Sequence, residues 1–212
     1  MKTKFYFLLP ILTLFIFVSC NEDDSMSSAS DDYKRDNFNK PSDKTIFDLA
    51  VENELFQLYG AIQYVDAELG AGLEDAIKSN EVQITVFAPT DQAFVDLLAF
   101  LDGARDETID DITDIPAPIV LAVLQYHLVE GRRGSNSVVP KTNNNKTIET
   151  LLADATFEVD KNKVIYAAGG DDANIIAPNV SASNGMVHVI DEVILPLTPA
   201  QVLALWDSLI GS

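Results

Sequence analysis

The sequence predicts an α+β domain, a strand-rich core with several N-terminal and mid-chain helices packed on it. Three observations carry that prediction. Apolar residues recur at helical spacing from Ile46 to Leu69, and the period drops to two between Val82 and Val86. Short alternating runs then dominate from Thr156 to Leu195. Helices therefore come first and strands later, the order expected when helices gather on one side of a sheet. A chain of 212 residues, 47% of them apolar, is long enough for one ordinary core with peripheral segments.

The first 19 residues read as an address. Lys2 and Lys4 supply a basic start, and Phe5 to Val18 form an apolar run too short for a comfortable membrane span. The run ends at Cys20, the single cysteine, so no intrachain disulfide can form. Residues 20–41 are polar and begin with the acidic run Asn21-Glu22-Asp23-Asp24, which reads as a tether. The folded domain is expected over 42–198, with 199–212 as a short closing helix.

Within the domain, Thr45 with Asp48 three residues on has the form of a capping box. Helical spacing follows through Tyr59, and a second helical segment is expected over Ala61 to Leu69. Gly70 and Gly72 break the chain, and Leu73 to Ser79 supply a further turn or two. Val82, Ile84 and Val86 predict a strand with one buried face, ended by Pro89. Thr90 or Asp91 is placed to cap a short helix through Phe94 and Leu98. Residues 102–114 are acidic and loop-like, and Ile119 to Tyr126 is an apolar helix leading into His127. Residues 131–146 read as loop. Thr156–Val159 and Val164–Ala167 flank a four-residue turn as a hairpin, and Asn174–Ala177 and Met186–Leu195 are the last strands.

The net charge of −19 excludes nucleic acid as a partner, because such a surface repels phosphate backbones. Catalytic signatures are absent: there is no Gly-x-Ser-x-Gly elbow, no His-Glu-x-x-His and no P-loop. No cofactor is expected, and the protein is read as non-enzymatic. Asp106-Glu107, Asp110-Asp111 with Asp114, and Asp171-Asp172 lack EF-hand spacing and read as solvated loop rather than a metal site. His188 alternates with Met186 and Ile190 on one face, between Val187 and Val189 on the other. It is expected to be a buried, neutral imidazole making one or two hydrogen bonds, with Asp191 on the opposite side and no partner to it.

Two boxes carry a family resemblance. Thr85-Val86-Phe87-Ala88-Pro89-Thr90-Asp91-Gln92-Ala93-Phe94 and Asn184-Gly185-Met186-Val187-His188-Val189-Ile190-Asp191 resemble the two signatures of the fasciclin domain. Tyr126-His127 stands between them where that family carries its Tyr-His motif, and Thr45–Ala50 resembles its opening helix. Asp91 takes the place of an Asn in many members. The resemblance implies a compact wedge of strands and helices, with Thr90, Asp91, His188 and Asp191 as structural motif residues. It further implies an adhesive or matrix role, and Tyr126 and His127 are candidate binding residues because that segment is implicated in receptor binding in some animal members. His127 is expected to hydrogen-bond the Thr90-Asp91 region and so tie the boxes together.

Phe17-Val18-Ser19-Cys20 resembles the lipobox of bacterial lipoproteins, which makes Cys20 the lipidated residue. Asn21, Glu22, Asp23 and Asp24 resemble the surface-export signal of Bacteroidetes lipoproteins. The expectation is an outer-membrane lipoprotein facing the cell exterior, with its lipid in the membrane and an extracellular protein or glycan as ligand. The alternative is an accessory lipoprotein of an outer-membrane or periplasmic complex, for example in glycan capture.

Overall fold

A computed structural model describes residues 42–105, 108–170 and 172–211. The signal, the lipidation site Cys20 and the acidic run Asn21 to Asp24 lie outside the described residues, as do Asp106, Glu107 and Asp171.

Helix α1 (Ile46–Glu52) opens with the expected capping box. Thr45 accepts the Asp48 N–H at 3.2 Å, and the Asp48 carboxylate accepts the Thr45 N–H at 2.8 Å. The chain then turns at Glu54, whose φ is 57°, and α2 (Phe56–Leu69) starts well before the expected Ala61. Its own N-cap, Leu55, offers no side-chain acceptor. Asp91 fills that place from elsewhere in the chain, accepting the Gln57 N–H at 2.9 Å. Gly70 and Gly72 both have left-handed φ and lead into α3 (Leu73–Lys78).

Helix α4 (Asp91–Ala104) is capped by Thr90, which accepts the Ala93 N–H, and it is twice the length of a two-turn helix. It therefore absorbs the start of the acidic segment read as loop. The rest of that segment is pinned by buried Ile109 and Ile112. Helix α5 (Ala117–Tyr126), the single turn α6 (Ser135–Val138) and α7 (Pro199–Ile210) complete the set. Thr198 and Gln201 form a second capping box at the start of α7, and Arg105 holds its end by donating to Asp207 at 2.8 Å. Leu58, Ala61, Phe94, Leu98, Val120 and Leu124 interlock as the core of the helical layer. Among the described residues no helix is long and apolar enough to cross a membrane.

The strands are β1 (Ile84–Pro89), β2 (Leu128–Glu130), β3 (Lys146–Glu149), β4 (Thr156–Val159), β5 (Val164–Tyr166), β6 (Asp172–Ser181) and β7 (Gly185–Ile190). They form one sheet in the order β2-β1-β7-β6-β5-β4-β3, with β1 and β7 parallel and every other pair antiparallel. Two expectations need correction here. Strand β1 excludes Val82, which is exposed, and it is buried on both faces because helices cover one side and strands the other. It ends at Pro89, as expected; the Thr90 N–H then reaches the Ile190 carbonyl at 3.1 Å. Strand β2 and all of β3 but Lys146 fall where the sequence reading assigns no element.

The sheet curls on itself. Strands β1 and β4 are four places apart, about 19 Å in a flat sheet. Yet the rings of Phe87 and Phe157 meet edge to face at 5.0 Å. Beyond β3, the Leu151 N–H donates to the Leu128 carbonyl of β2 at 2.7 Å, which brings the two ends of the sheet together. Phe87, Tyr126, Ile148, Phe157, Ile165 and Ile190 fill the interior so formed.

Candidate functional site

The two boxes lie side by side, paired in parallel from Ile84 opposite Gly185 to Pro89 opposite Ile190. This places Phe87 against His188, with ring centroids 5.2 Å apart. His188 is fully buried. Its Nε2 lies 2.9 Å from the Arg133 carbonyl, and its Nδ1 accepts the Asn179 N–H at 3.2 Å. One nitrogen faces an acceptor and the other a donor, so the neutral tautomer with the proton on Nε2 satisfies both. Burial holds its pKa below the ordinary value, against the opposing pull of the Arg133 carbonyl. The expectation of a neutral, internally bonded His188 holds. Asp191 takes no part in it: its carboxylate accepts the Asn174 N–H at 2.6 Å and the Asn174 amide at 2.9 Å.

His127 is buried too, but not as expected. Its ring does not reach Thr90 or Asp91. Nδ1 donates to the Val123 carbonyl at 2.7 Å, one turn back on α5, and Nε2 accepts the Ile194 N–H at 3.1 Å. The segment after β7 crosses over α5 and supplies that donor, so His127 ties the chain beyond the second box to the helical layer. Burial pushes its pKa down to about 4. Tyr126 points into the sheet interior, where its hydroxyl donates to the Thr156 carbonyl at 2.7 Å and accepts the Ala168 N–H at 3.2 Å. Both candidate binding residues are thus inside the protein, with their polar atoms used internally.

The sequence places Asn184 and Gly185 in the second box without showing what either does, and gives no sign of Arg132. Asn184 is fully buried and joins three segments. Its Oδ1 accepts the Ile46 N–H at 2.8 Å, and its Nδ2 donates to the carbonyls of Ile77 and Ser79, each at 2.8 Å. It therefore satisfies the first turn of α1 and the end of α3 at once. Arg132 clamps the turn between β6 and β7, donating to the Ala182 and Gly185 carbonyls at 2.6 Å and to the Ser181 hydroxyl. The local signal was the pair Asn184-Gly185 opening a strand, a small residue beside a polar one where a backbone approaches closely.

Asp110, Asp111 and Asp114 are occupied with turn formation. Asp114 accepts the N–H groups of Asp110 and Asp111, and Asp111 accepts that of Thr113. Among the described residues no group of three or more His, Cys, Asp or Glu is placed to hold a metal ion.

Two of the hollows among the described residues differ sharply in size. The apolar cavity among α2, α4 and α5 measures about 30 Å³, room for a water-sized body and no more. The second is an open groove of about 400 Å³, within the range of about 300–1,000 Å³ usual for small-ligand sites. Its walls come from α6 and the loop after it, the β4–β5 turn and an irregular stretch of β6. Lys141, Lys161 and Lys163 supply its charge, all three exposed. Ser135, Asn136 and Asn179 supply neutral polar groups, and Val139, Pro140 and Pro178 an apolar base.

The fold builds this groove from the back. Register shifts in β6 between Ile175 and Val180 throw Asn179 into the left-handed region at φ 66°. His188 then receives the Asn179 N–H, while the Asn179 side chain accepts the Ser135 N–H at 2.6 Å and donates to the Ser135 hydroxyl at 2.9 Å. One buried histidine of the second box thus fixes both the bulge and α6. The box is architecture, and the surface it supports is the groove.

The fold is an α+β domain whose curled sheet buries most of its two boxes and whose open groove lies in loops and turns. The sequence pattern of the Fasciclin domain matches residues 59–196, and the chain belongs to that family. Protein sll1483 of Synechocystis sp. is 34% identical over 153 residues, spanning 72% of this chain and 73% of that protein. Immunogenic protein MPB70 of Mycobacterium bovis is 30% identical over 117 residues, spanning 55% of this chain and 52% of the relative. Among solved structures, a FAS1 domain pair from the insect cell adhesion molecule Fasciclin I aligns with a TM-score of 0.46 at 20% identity, over 65% of this chain and 45% of that one.

Proposed function

We propose that this protein is a non-catalytic binding module of the cell surface, serving adhesion or the capture of an extracellular protein or glycan. In this reading Cys20 carries the lipid that holds it in the outer membrane. Asn21, Glu22, Asp23 and Asp24 direct it to the outer face, and residues 20–41 project the domain from the surface. The observation that carries the reading is the open groove of about 400 Å³. It has the size and mixed lining of a recognition site. Family membership supports the same direction. So does the use of both histidines as internal hydrogen-bonding posts, which leaves neither ring as an exposed general base.

The test is adhesion of whole cells. Cells producing the chain should bind an immobilised mixture of extracellular proteins and glycans more strongly than cells producing the Cys20→Ser variant, whose chain loses its anchor. Equal adhesion by both, with equal amounts of chain made, would contradict the proposal.

A further inference from the structure

The groove is basic on a protein that is strongly acidic. The chain carries 33 Asp and Glu against 14 Lys and Arg, yet none of the nine groove-lining residues is acidic. Arg132, Arg133, Lys141, Lys146, Lys161 and Lys163 all fall within residues 132–163, and of these Lys141, Lys161 and Lys163 line the groove. Part of this charge is structural. Arg132 clamps a turn, and Lys146 donates to the Ser137 carbonyl. Lys161 donates to Asn143 at 2.8 Å. Lys141 and Lys163 differ, for among the described residues neither ammonium group has a carboxylate partner.

The nearest acid by sequence, Asp160, lies close enough to Lys161 to feel its charge, but its hydrogen bonds go to the turn. Its carboxylate accepts the N–H groups of Asn162 and Val164 and the Asn162 amide, and so closes the β4–β5 turn. Lys163 occupies the left-handed position of that turn at φ 71°. Glycine is the usual residue there, because a side chain at positive φ is strained. A lysine held in that conformation, unpaired and at the mouth of a groove, is a local disagreement between sequence and structure of the kind that marks function.

From this we infer that the groove binds an acidic saccharide, a short segment of a glycan bearing carboxylate or sulfate groups. The lining supplies what such a segment needs. Lys141 and Lys163 meet its anions, Ser135 and Asn136 its hydroxyls, and Pro140 and Pro178 the C–H faces of its rings. A flat membrane surface does not enter a concave groove. An acidic protein would require a broad complementary face, of about 800 Å² on each partner. The surrounding negative charge restricts the site to a short segment, since a longer polyanion meets repulsion beyond the groove. The inference rests on the binding-module reading, but the two fail separately. A chain that supports adhesion and binds no acidic saccharide refutes this assignment alone.

The experiment is calorimetric titration of the full chain in detergent with fragments of polygalacturonate, sulfated dextran and neutral dextran. At least one acidic saccharide should bind and neutral dextran should not, and which acid binds identifies the anionic group. Raising ionic strength from about 0.01 M to about 0.15 M should weaken binding. The double variant Lys141→Gln with Lys163→Gln should lose affinity by about tenfold, as expected for two exposed charge contacts. Lys78→Gln, which changes the net charge on the far side of β1, should not. Equal binding of neutral dextran, or an equal loss in Lys78→Gln, would overturn the assignment. Polyglutamate binding as tightly as the saccharide would also overturn it and give the groove to an acidic peptide.

Discussion

Gly185 lies so close to Ile84 that a Cβ carbon built on it would stand 1.9 Å from the Ile84 carbonyl oxygen. This contact is where the two boxes meet, at the first step of the parallel β1–β7 ladder. The obstruction is backbone, so no side chain can swing aside to relieve it. Gly185→Ala should therefore separate the central strands and destabilise the protein by more than about 3 kcal/mol, or prevent folding. Chemical denaturation measures it, and a variant within about 1 kcal/mol of the parent would mean the strands are not in this register.

The neighbouring Asn184 gives a second prediction. Asn184→Ala leaves the Ile46 N–H and the carbonyls of Ile77 and Ser79 without their buried partner. A loss of about 2–4 kcal/mol is expected. Asn184→Asp should do no better, because a carboxylate keeps the acceptor toward Ile46 but turns an oxygen on two carbonyls. A smaller loss for Asp than for Ala would contradict the assignment of the amide.

Stability should fall on mild acidification. The folded state keeps His127 neutral, its pKa pushed down from 6.5 to about 4, and His188 is shifted the same way by burial. Between those values the unfolded chain binds more protons than the folded one, so stability rises with pH through the window and is complete above about pH 6.5. Moving down to about pH 4 should remove roughly 3 kcal/mol on account of His127 alone. Asp48, whose pKa is lowered by hydrogen bonds from Thr45, adds a loss of the same sign at the acid end. Urea melts across this range measure the slope, and a flat profile would show that the rings are not buried neutral.

Lys163→Gly removes the strained side chain from the β4–β5 turn. Stability should stay level or rise by up to about 1 kcal/mol, whereas binding in the groove should weaken. A clear fall in melting temperature would mean that the lysine side chain holds the turn, and would take it out of the binding site.

Much of this architecture was legible because its causes are local. The Thr45–Asp48 box, the hairpin around Asp160 and the amphipathic α7 each depend on residues a few positions apart. His188 was legible too, since strict alternation on two apolar faces leaves an imidazole nowhere but the interior. What escaped depends on distant partners. Strand β1 is buried on both faces because the helical layer and the other strands cover it, which its own sequence does not state. Strands β2 and β3 are short, and their pairing is made by β1 and β4 rather than by their own residues. The partner of His127 is a backbone N–H 67 positions away, supplied by a segment with no motif. The groove is assembled from α6 and the loop after it, the β4–β5 turn and a bulge, none of which carries a motif, and only the fold brings Lys141 and Lys163 to one mouth.

The central claim is that this domain stands outside the cell and binds there. Protease treatment of intact cells, with a periplasmic protein as control for leakage, tests it most directly. The account predicts that the domain is digested while the control stays whole. A domain protected until the outer membrane is opened would contradict it and would turn the protein to a role inside the envelope.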